Sequence, residues 1–444
     1  MAEKLDDLHL ADLHALAARV GVPRFRMLRR PELIREIESR GGAPEDAPTG
    51  SAAAEAPPVL DATEAETPPE GTPAVAEPEL QRERLEAPET EEVTGVLEIT
   101  SQRYGFLRLQ GLEPHPDDVY ISASQVRRCE LRPGDEVSGP ARAPRRGERH
   151  RALVHVDRVD GGDPQAAERR EFDELTPILP TRRLSLDRDP SDVLTRAVDL
   201  LAPMALGQRV LVWAAPRSGR TTLLRGLARA IASADDVELI LLLIDERPEE
   251  VTGWRQALPN AEIASASADL PPVDQVRLTD LALERARRRV ESGVDVVTIV
   301  DSLSRLAVAA RLAGGRSPSA DAAEVKRLFG SGRDLAEEGA GSLTVVATVV
   351  EGAEDDGAAQ RAVMTTESSL IRLDPELAAA GVVPALRPGE CRVSNEEELR
   401  DPGELAAVRR LRSLLADLDP AESAALLRER IEGSPTNAEL LASI

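Results

Sequence analysis

Residues 211–224 read LVWAAPRSGRTTLL, and the fold turns on how this stretch is read. The apolar run Val210–Trp213 has the pattern of a buried strand, and Leu223–Ile231 that of a helix. Between them lie Ala214-Ala215-Pro216-Arg217-Ser218-Gly219-Arg220-Thr221-Thr222. Strand, tight loop and helix start make a cradle whose backbone N–H groups point at phosphate. Gly219 lets the chain come close, Arg220 supplies a cation for the outer phosphates, and Thr221 supplies a hydroxyl for Mg2+. Ala214 stands where such loops open on glycine, and Arg220 where they carry lysine. An ordinary strand-to-helix turn has the same outline, so residues downstream must separate the two readings.

The chain has 444 residues, enough for about two to four domains. Asp and Glu outnumber Lys and Arg 79 to 55, for a formal net charge of −24. Phosphates are repelled at long range by such a chain, so any nucleic-acid site must be a local basic patch. Lysine occurs only as Lys4 and Lys326, and arginine supplies every other cation. This bias accounts for the presence of Arg220 but not for its chemistry, because a guanidinium is planar and bulkier than an ammonium. Cys129 and Cys391 suggest neither a disulfide framework nor a zinc site. The N-terminus MAEKLDDLHL lacks a signal-peptide pattern, and no apolar run approaches the roughly 20 residues of a membrane helix. A soluble cytoplasmic protein without membrane contact is expected.

Residues 1–40 read as a small helical module. Leu8, Leu13, Leu16, Ala17 and Val20 recur at helical spacing, Gly21 and Pro23 interrupt it, and Pro31–Ser39 forms a second helix burying Leu33, Ile34 and Ile37. Residues 41–92 are rich in Ala, Pro, Glu and Thr, with no Lys or Arg between Arg40 and Arg82. Too little apolar surface is present to offset chain entropy, so a disordered acidic linker is expected.

Residues 93–160 carry short alternating runs, VTGVLEIT, YGFLRL, DDVYIS, DEVSGPARA and RALVHVDRV, punctuated by Gly and Pro. They predict a small β-barrel. Both tyrosines of the chain, Tyr104 and Tyr120, lie here with Phe106 between them. Period-two spacing puts Tyr104, Phe106 and Arg108 on one strand face and Leu107 and Leu109 on the other. Two rings and a cation on one face form a stacking platform for unpaired bases. Arg142, Arg145, Arg146, Arg149 and Arg151 supply the local positive charge.

Residues 161–190 read as a connector, and residues 191–444 as alternating strands and helices, the mark of a parallel sheet covered on both faces. The expected strands are Val210–Trp213, Glu238–Ile244, Val294–Val300 and Ser342–Val350. The expected helices are Thr221–Ala232, Val273–Glu291, Ala322–Glu338 and Pro402–Leu418, followed by a helical tail, Ala421–Ile444. Glu238–Ile244 ends in Asp245-Glu246-Arg247, and Val294–Val300 ends in Asp301-Ser302-Leu303-Ser304-Arg305. Acids at the carboxyl ends of buried parallel strands stand at the crevice where ligands bind. Glu246 can orient and deprotonate a water. Asp301 can hold Mg2+ through its water shell. A phosphate loop followed by two such acids favours the nucleotide reading over the plain turn.

The stretches LLLIDERPEEVT, DSLSRLA, GQRVLVWAAPRSGRT, YGFLR, DDVYISASQVRR, LRPGDEVSG and KRLFGSGRDLAEEGAGSLTVVAT resemble motifs of the bacterial transcription termination factor Rho family. The likeness covers nearly the whole chain apart from the linker and the tail. It implies a multidomain fold: an N-terminal helical module, an OB/cold-shock-like barrel and an α/β RecA-like P-loop ATPase domain with C-terminal helices. It implies a homohexameric, RNA-dependent ATPase and helicase that takes ATP and Mg2+, binds single-stranded RNA and acts on the RNA polymerase transcription complex. By resemblance, Tyr104, Gly105, Phe106, Leu107, Arg108, Asp118, Val119, Tyr120, Glu148, Arg149 and His150 form the RNA site. Gly207, Gln208, Arg217, Ser218, Gly219, Arg220, Thr221, Thr222, Arg247 and Val383 hold the nucleotide. Glu246, Asp301 and Arg392 are catalytic, and Thr221 and Asp301 serve the metal.

The departures from the family cluster in the motor. Arg217 and Arg220 replace two lysines, and VAARLAGGRSPSADAAEV is shorter than the family's loop and lacks its RNA-gripping lysine. EGAEDDGAAQRA is acidic where the family is basic. Val383 stands in place of an adenine-stacking aromatic, and Arg392 in RPGECRVSNEEEL aligns with the family's trans-acting arginine only after a register shift. Two readings therefore stand: a ring translocase, or a related RNA- and nucleotide-binding protein with little hydrolysis.

Overall fold

Val210, Val212 and Ala214 point into one hydrophobic cluster, and Leu211 and Trp213 into another. Burial on both faces is what an internal strand of a parallel sheet requires. A computed structural model of the chain has this strand, Arg209–Ala214, inside such a sheet. The structure describes residues 30–39, 90–164, 169–234, 236–314, 320–352, 356–364 and 366–444, with Ala17, Val20 and Val22. Two compact units are present, Met1–Arg82 and Glu83–Ile444. In the first, helix Arg30–Ser39 buries Ile34 and Ile37. Most of the expected first helix, and the expected linker up to residue 89, lie outside the described residues.

The second unit begins with a barrel. Strands Thr90–Ile99, Gly105–Arg108, Val119–Ile121, Arg151–Leu153 and Glu136–Arg142 pair in that order, and Glu136–Arg142 returns to Thr90–Ile99 to close the ring. Val93, Leu97, Leu107, Val119, Ile121, Val137 and Leu153 fill its interior. A short helix, Ala123–Arg128, starts at a capping box in which Ser122 and Gln125 bond reciprocally.

The motor is a seven-stranded sheet in the order Glu262–Ser267, Val237–Glu246, Asp295–Asp301, Leu343–Val350, Arg209–Ala214, Ser369–Arg372, Arg392–Val393. All neighbours run parallel except the last pair. Helices Val193–Leu201, Arg220–Ala232, Pro248–Ala257, Pro402–Ala416 and Pro420–Glu432 cover one face through the first cluster. Helices Pro272–Glu291, Leu303–Gly314, Ala320–Phe329 and Asp356–Val363 cover the other. The segment read as a connector is tied to the motor: Pro177–Ile178 pairs with Asp334–Leu335, and Arg183–Leu184 with Met204–Ala205.

The expected helix Ala322–Glu338 stops at Phe329. A Cβ on Gly330 would lie 2.6 Å from the Lys326 carbonyl, so the chain turns there and Asp334–Leu335 becomes a strand. Strand Glu262–Ser267 was not anticipated, because EIASAS has one branched residue, Ile263, and otherwise buries alanine and serine. The helical tail is two helices, Pro420–Glu432 and Asn437–Ala442. Among the described residues no helix is long and apolar enough to cross a membrane.

Candidate nucleotide cleft and nucleic-acid face

Beyond Ala214 the chain turns through Arg217 and Gly219, both in the left-handed region at φ 61° and 86°. Glycine takes that conformation without strain, whereas Arg217 does so at a cost. Gly219 is the N-cap of helix Arg220–Ala232 and offers no side chain to its first N–H groups, which leaves them for an anion. The Ser218 hydroxyl is buried without a partner in the loop. The loop borders a cleft of about 570 Å³ lined also by Arg220, Thr221, Thr222, Asp245, Arg247, Ser302, Ser304 and Arg305.

The two strand-tip acids lie behind this cleft, each paired with an arginine that lines it. Val237–Glu246 and Asp295–Asp301 are neighbours, with Leu243 opposite Asp301. An irregularity between Ile244 and Glu246, with Asp245 at φ 52°, turns Asp245 to the cleft and leaves Glu246 buried. Arg305 Nη1 donates to Glu246 Oε2 at 2.6 Å and to the Ile244 carbonyl at 3.2 Å. Asp301 is 1% exposed, with Arg220 Nε 3.2 Å from its Oδ1 and the Thr348 hydroxyl donating at 3.1 Å. Burial pushes the Asp301 carboxyl above the usual range against the pull of Arg220 and Arg305, and Glu246 adds to the rise. No role was expected for Arg305 or Asp245. Their signal was position: each adjoins a strand-tip acid within a stretch already singled out.

Three expected nucleotide contacts lie elsewhere. Gly207 and Gln208 precede Arg209–Ala214 at the end away from the phosphate loop, about 20 Å off at the rise of a strand. Gly207 is at φ 91° with its N–H on the Thr344 hydroxyl, and Gln208 accepts from the Ala205 N–H. Both hold the turn that enters the strand, which corrects their reading as nucleotide ligands. Val383 is 44% exposed and does not line the cleft. Arg392 lies on the edge strand, opposite Leu370 and paired with Glu367 at 2.9 Å. A larger cleft of about 670 Å³ lies between Gln110–His115 of the barrel and Arg255–Ile263 of the motor. Its Glu113 is engaged by the Ser265 N–H and hydroxyl and by Arg255, which makes the cleft a seam between domains.

On the barrel, Tyr104, Phe106 and Tyr120 form a half-buried cluster with centroids 5.8, 5.5 and 6.2 Å apart, and His150 stands 5.0 Å from Phe106. Leu107 and Val119 point into the core, so their side chains are corrected from binding to packing. Gly105 is buried. Arg108 is no free cation: its Nε donates to Glu98 at 2.8 Å, its Nη atoms pair with Glu98 and Asp118, and it is 6% exposed. A buried cation needs such partners. Asp118 keeps one oxygen, Oδ1, buried without a partner among the described residues. Glu148 is held by Arg142 through two bonds, which draws its carboxyl down to about 2. Of the basic cluster, Arg142 pairs with Glu148 and Arg151 with Glu91, while Arg145, Arg146 and Arg149 stay exposed without an ion pair among the described residues.

Comparisons with known proteins agree with both parts. The model of the Rho termination factor RNA-binding domain matches residues 93–165, and that of the ATP synthase alpha/beta family nucleotide-binding domain matches residues 195–392. A protein named transcription termination factor Rho from Aquifex aeolicus is 38% identical over 367 residues, covering 79% of this chain and 84% of that protein. Its namesake from Bacillus subtilis is 40% identical over 337 residues, 73% of this chain and 78% of that one. That from Mycobacterium leprae is 36% identical, and 62% of its longer chain is covered. Among solved structures, an ATPase from the type III secretion system of pathogenic bacteria superposes with a TM-score of 0.51 at 22% identity, over 66% of this chain and 93% of that one. At that identity the likeness is one of fold. A P-loop ATPase fold and a Rho-type RNA-binding domain thus share one polypeptide, and the chain belongs to the transcription termination factor Rho family.

Proposed function

We propose that this protein is an ATP-driven transcription termination factor that works in the cytoplasm as a homohexameric ring. In this reading residues 93–160 bind single-stranded RNA. Residues 191–444 bind and hydrolyse ATP, and the ring draws RNA inward to release it from the RNA polymerase complex. The observation that carries the reading is a cleft lined by the phosphate loop, Arg220 and Arg305, with Asp301 and Glu246 paired to those two arginines behind it, in the same compact unit as the aromatic face.

Glu246 is the group suited to orient and deprotonate an attacking water, and Arg305 fixes its carboxylate. Arg392, on an exposed edge, is suited to reach a neighbour's cleft rather than its own. Arg145, Arg146 and Arg149 are the cations left for RNA phosphates. The family implies Mg2+ as well. Thr221 lines the cleft as a metal-binding hydroxyl must, but Asp301 is buried and engaged by Arg220 and Thr348. As arranged, these residues do not present a metal site.

RNA-stimulated ATP hydrolysis by the purified protein is the test. Turnover that rises with RNA and vanishes in Glu246→Ala supports the motor, and background turnover with RNA present refutes it. The two arginine–acid pairs favour a second reading, an RNA- and nucleotide-binding regulator or partner with little hydrolysis. In that case Arg220→Lys raises turnover.

A further inference from the structure

Resting on the nucleotide reading of the cleft, we infer that it holds a nucleoside triphosphate without a divalent cation, its arginines supplying the positive charge. Asp301 has the place of a metal-associated acid, yet its carboxylate meets Arg220 Nε at 3.2 Å and the Thr348 hydroxyl at 3.1 Å, and the residue is 1% exposed. For a hydrated cation to reach it, Arg220 must give up its place beside a carboxylate that is already compensated.

The phosphates meet other charges first. Arg217, Arg220, Arg247 and Arg305 line the cleft, against one carboxylate, Asp245. Arg305 is engaged by Glu246, while Arg217 and Arg247 carry no ion pair among the described residues. Arg220 serves both sides. Its Nε is the atom nearest Asp301, and no second acid pairs with its fork among the described residues. A lysine gathers its three donors on one compact nitrogen, whereas a planar guanidinium spreads five over separate edges and can turn one to the acid and another to the phosphate. The free N–H groups at the start of helix Arg220–Ala232 add to the positive potential. The exchange of lysine for arginine therefore replaces a metal-dependent grip with a metal-independent one.

The probe is a fluorescent, non-hydrolysable ATP analogue titrated into the full chain in excess EDTA and in excess Mg2+. Wild-type protein is expected to bind at least as tightly in EDTA as in Mg2+, and Arg220→Lys to lose about tenfold or more in EDTA while binding in Mg2+. Wild-type affinity that falls about tenfold in EDTA overturns the inference and leaves the nucleotide reading standing. No binding in either condition overturns both. A second measurement is the electron paramagnetic resonance of Mn2+ with nucleotide-saturated wild-type protein. The expected spectrum is that of the Mn2+–nucleotide complex alone, and a protein-bound signal that disappears in Asp301→Asn overturns the inference.

Discussion

Phe106 and Leu107 are neighbours in one four-residue strand, and replacing each with alanine should have opposite consequences. Phe106 is half-buried, with ring centroids of Tyr104, Tyr120 and His150 at 5.8, 6.2 and 5.0 Å. Leu107 is 0% exposed inside the barrel. Removing a stacking ring costs about 1–3 kcal/mol per base, so Phe106→Ala should weaken single-stranded RNA binding by about 5- to 150-fold. The barrel interior stays filled, because Phe106 is not part of it. Leu107→Ala leaves a cavity there and should cost about 2–5 kcal/mol of stability. RNA affinity of its folded fraction should be unchanged. Fluorescence anisotropy with a labelled oligoribonucleotide measures the first effect. Near-ultraviolet circular dichroism in urea follows the second, the tyrosine bands reporting the barrel and those of Trp213 and Trp254 the parallel sheet and its helices. Wild-type RNA affinity in a folded Phe106→Ala protein would refute the stacking assignment.

Arg108→Ala strips the common partner from Glu98 and Asp118, both buried, and leaves Arg277, 3.0 Å from Glu98, as the remaining cation there. A loss of about 3–5 kcal/mol from the barrel is expected in urea unfolding, and a loss below about 1 kcal/mol would show that the triad is not structural. The pH dependence of stability carries a signature of Asp301. Burial raises its carboxyl in the folded state, so folding favours the protonated form. That contribution is present below the unfolded value of about 3.9 and is lost as pH rises through the higher folded value. Asp301→Asn cannot ionise and should flatten the fall in unfolding midpoint over that window. An unaltered slope would contradict the burial argument.

The sheet and its carboxyl-edge acids were legible because their signals are local. A strand buried on both faces is a continuous apolar run, and Val237–Glu246 and Asp295–Asp301 announce themselves with the acids that end them. The barrel announced itself by alternation, which separated Leu107 from Phe106 before any coordinates. Glu262–Ser267 gave no such signal, since alanine and serine become core only when neighbouring strands supply the walls.

Which charges are free was not legible at all. Arg108 and Arg220 read alike as cations available to a ligand, but one is closed between Glu98 and Asp118 and the other rests on Asp301. Likewise Gly207 and Gly219 read alike as nucleotide-binding glycines, although they lie beyond opposite ends of the same strand. Residue type and spacing by themselves determined the central strands, the strand-tip acids and the ring-bearing face. Only the tertiary structure decided which ionised side chains reach a ligand, because an ion pair is a long-range contact between segments whose separation along the chain carries no mark of it.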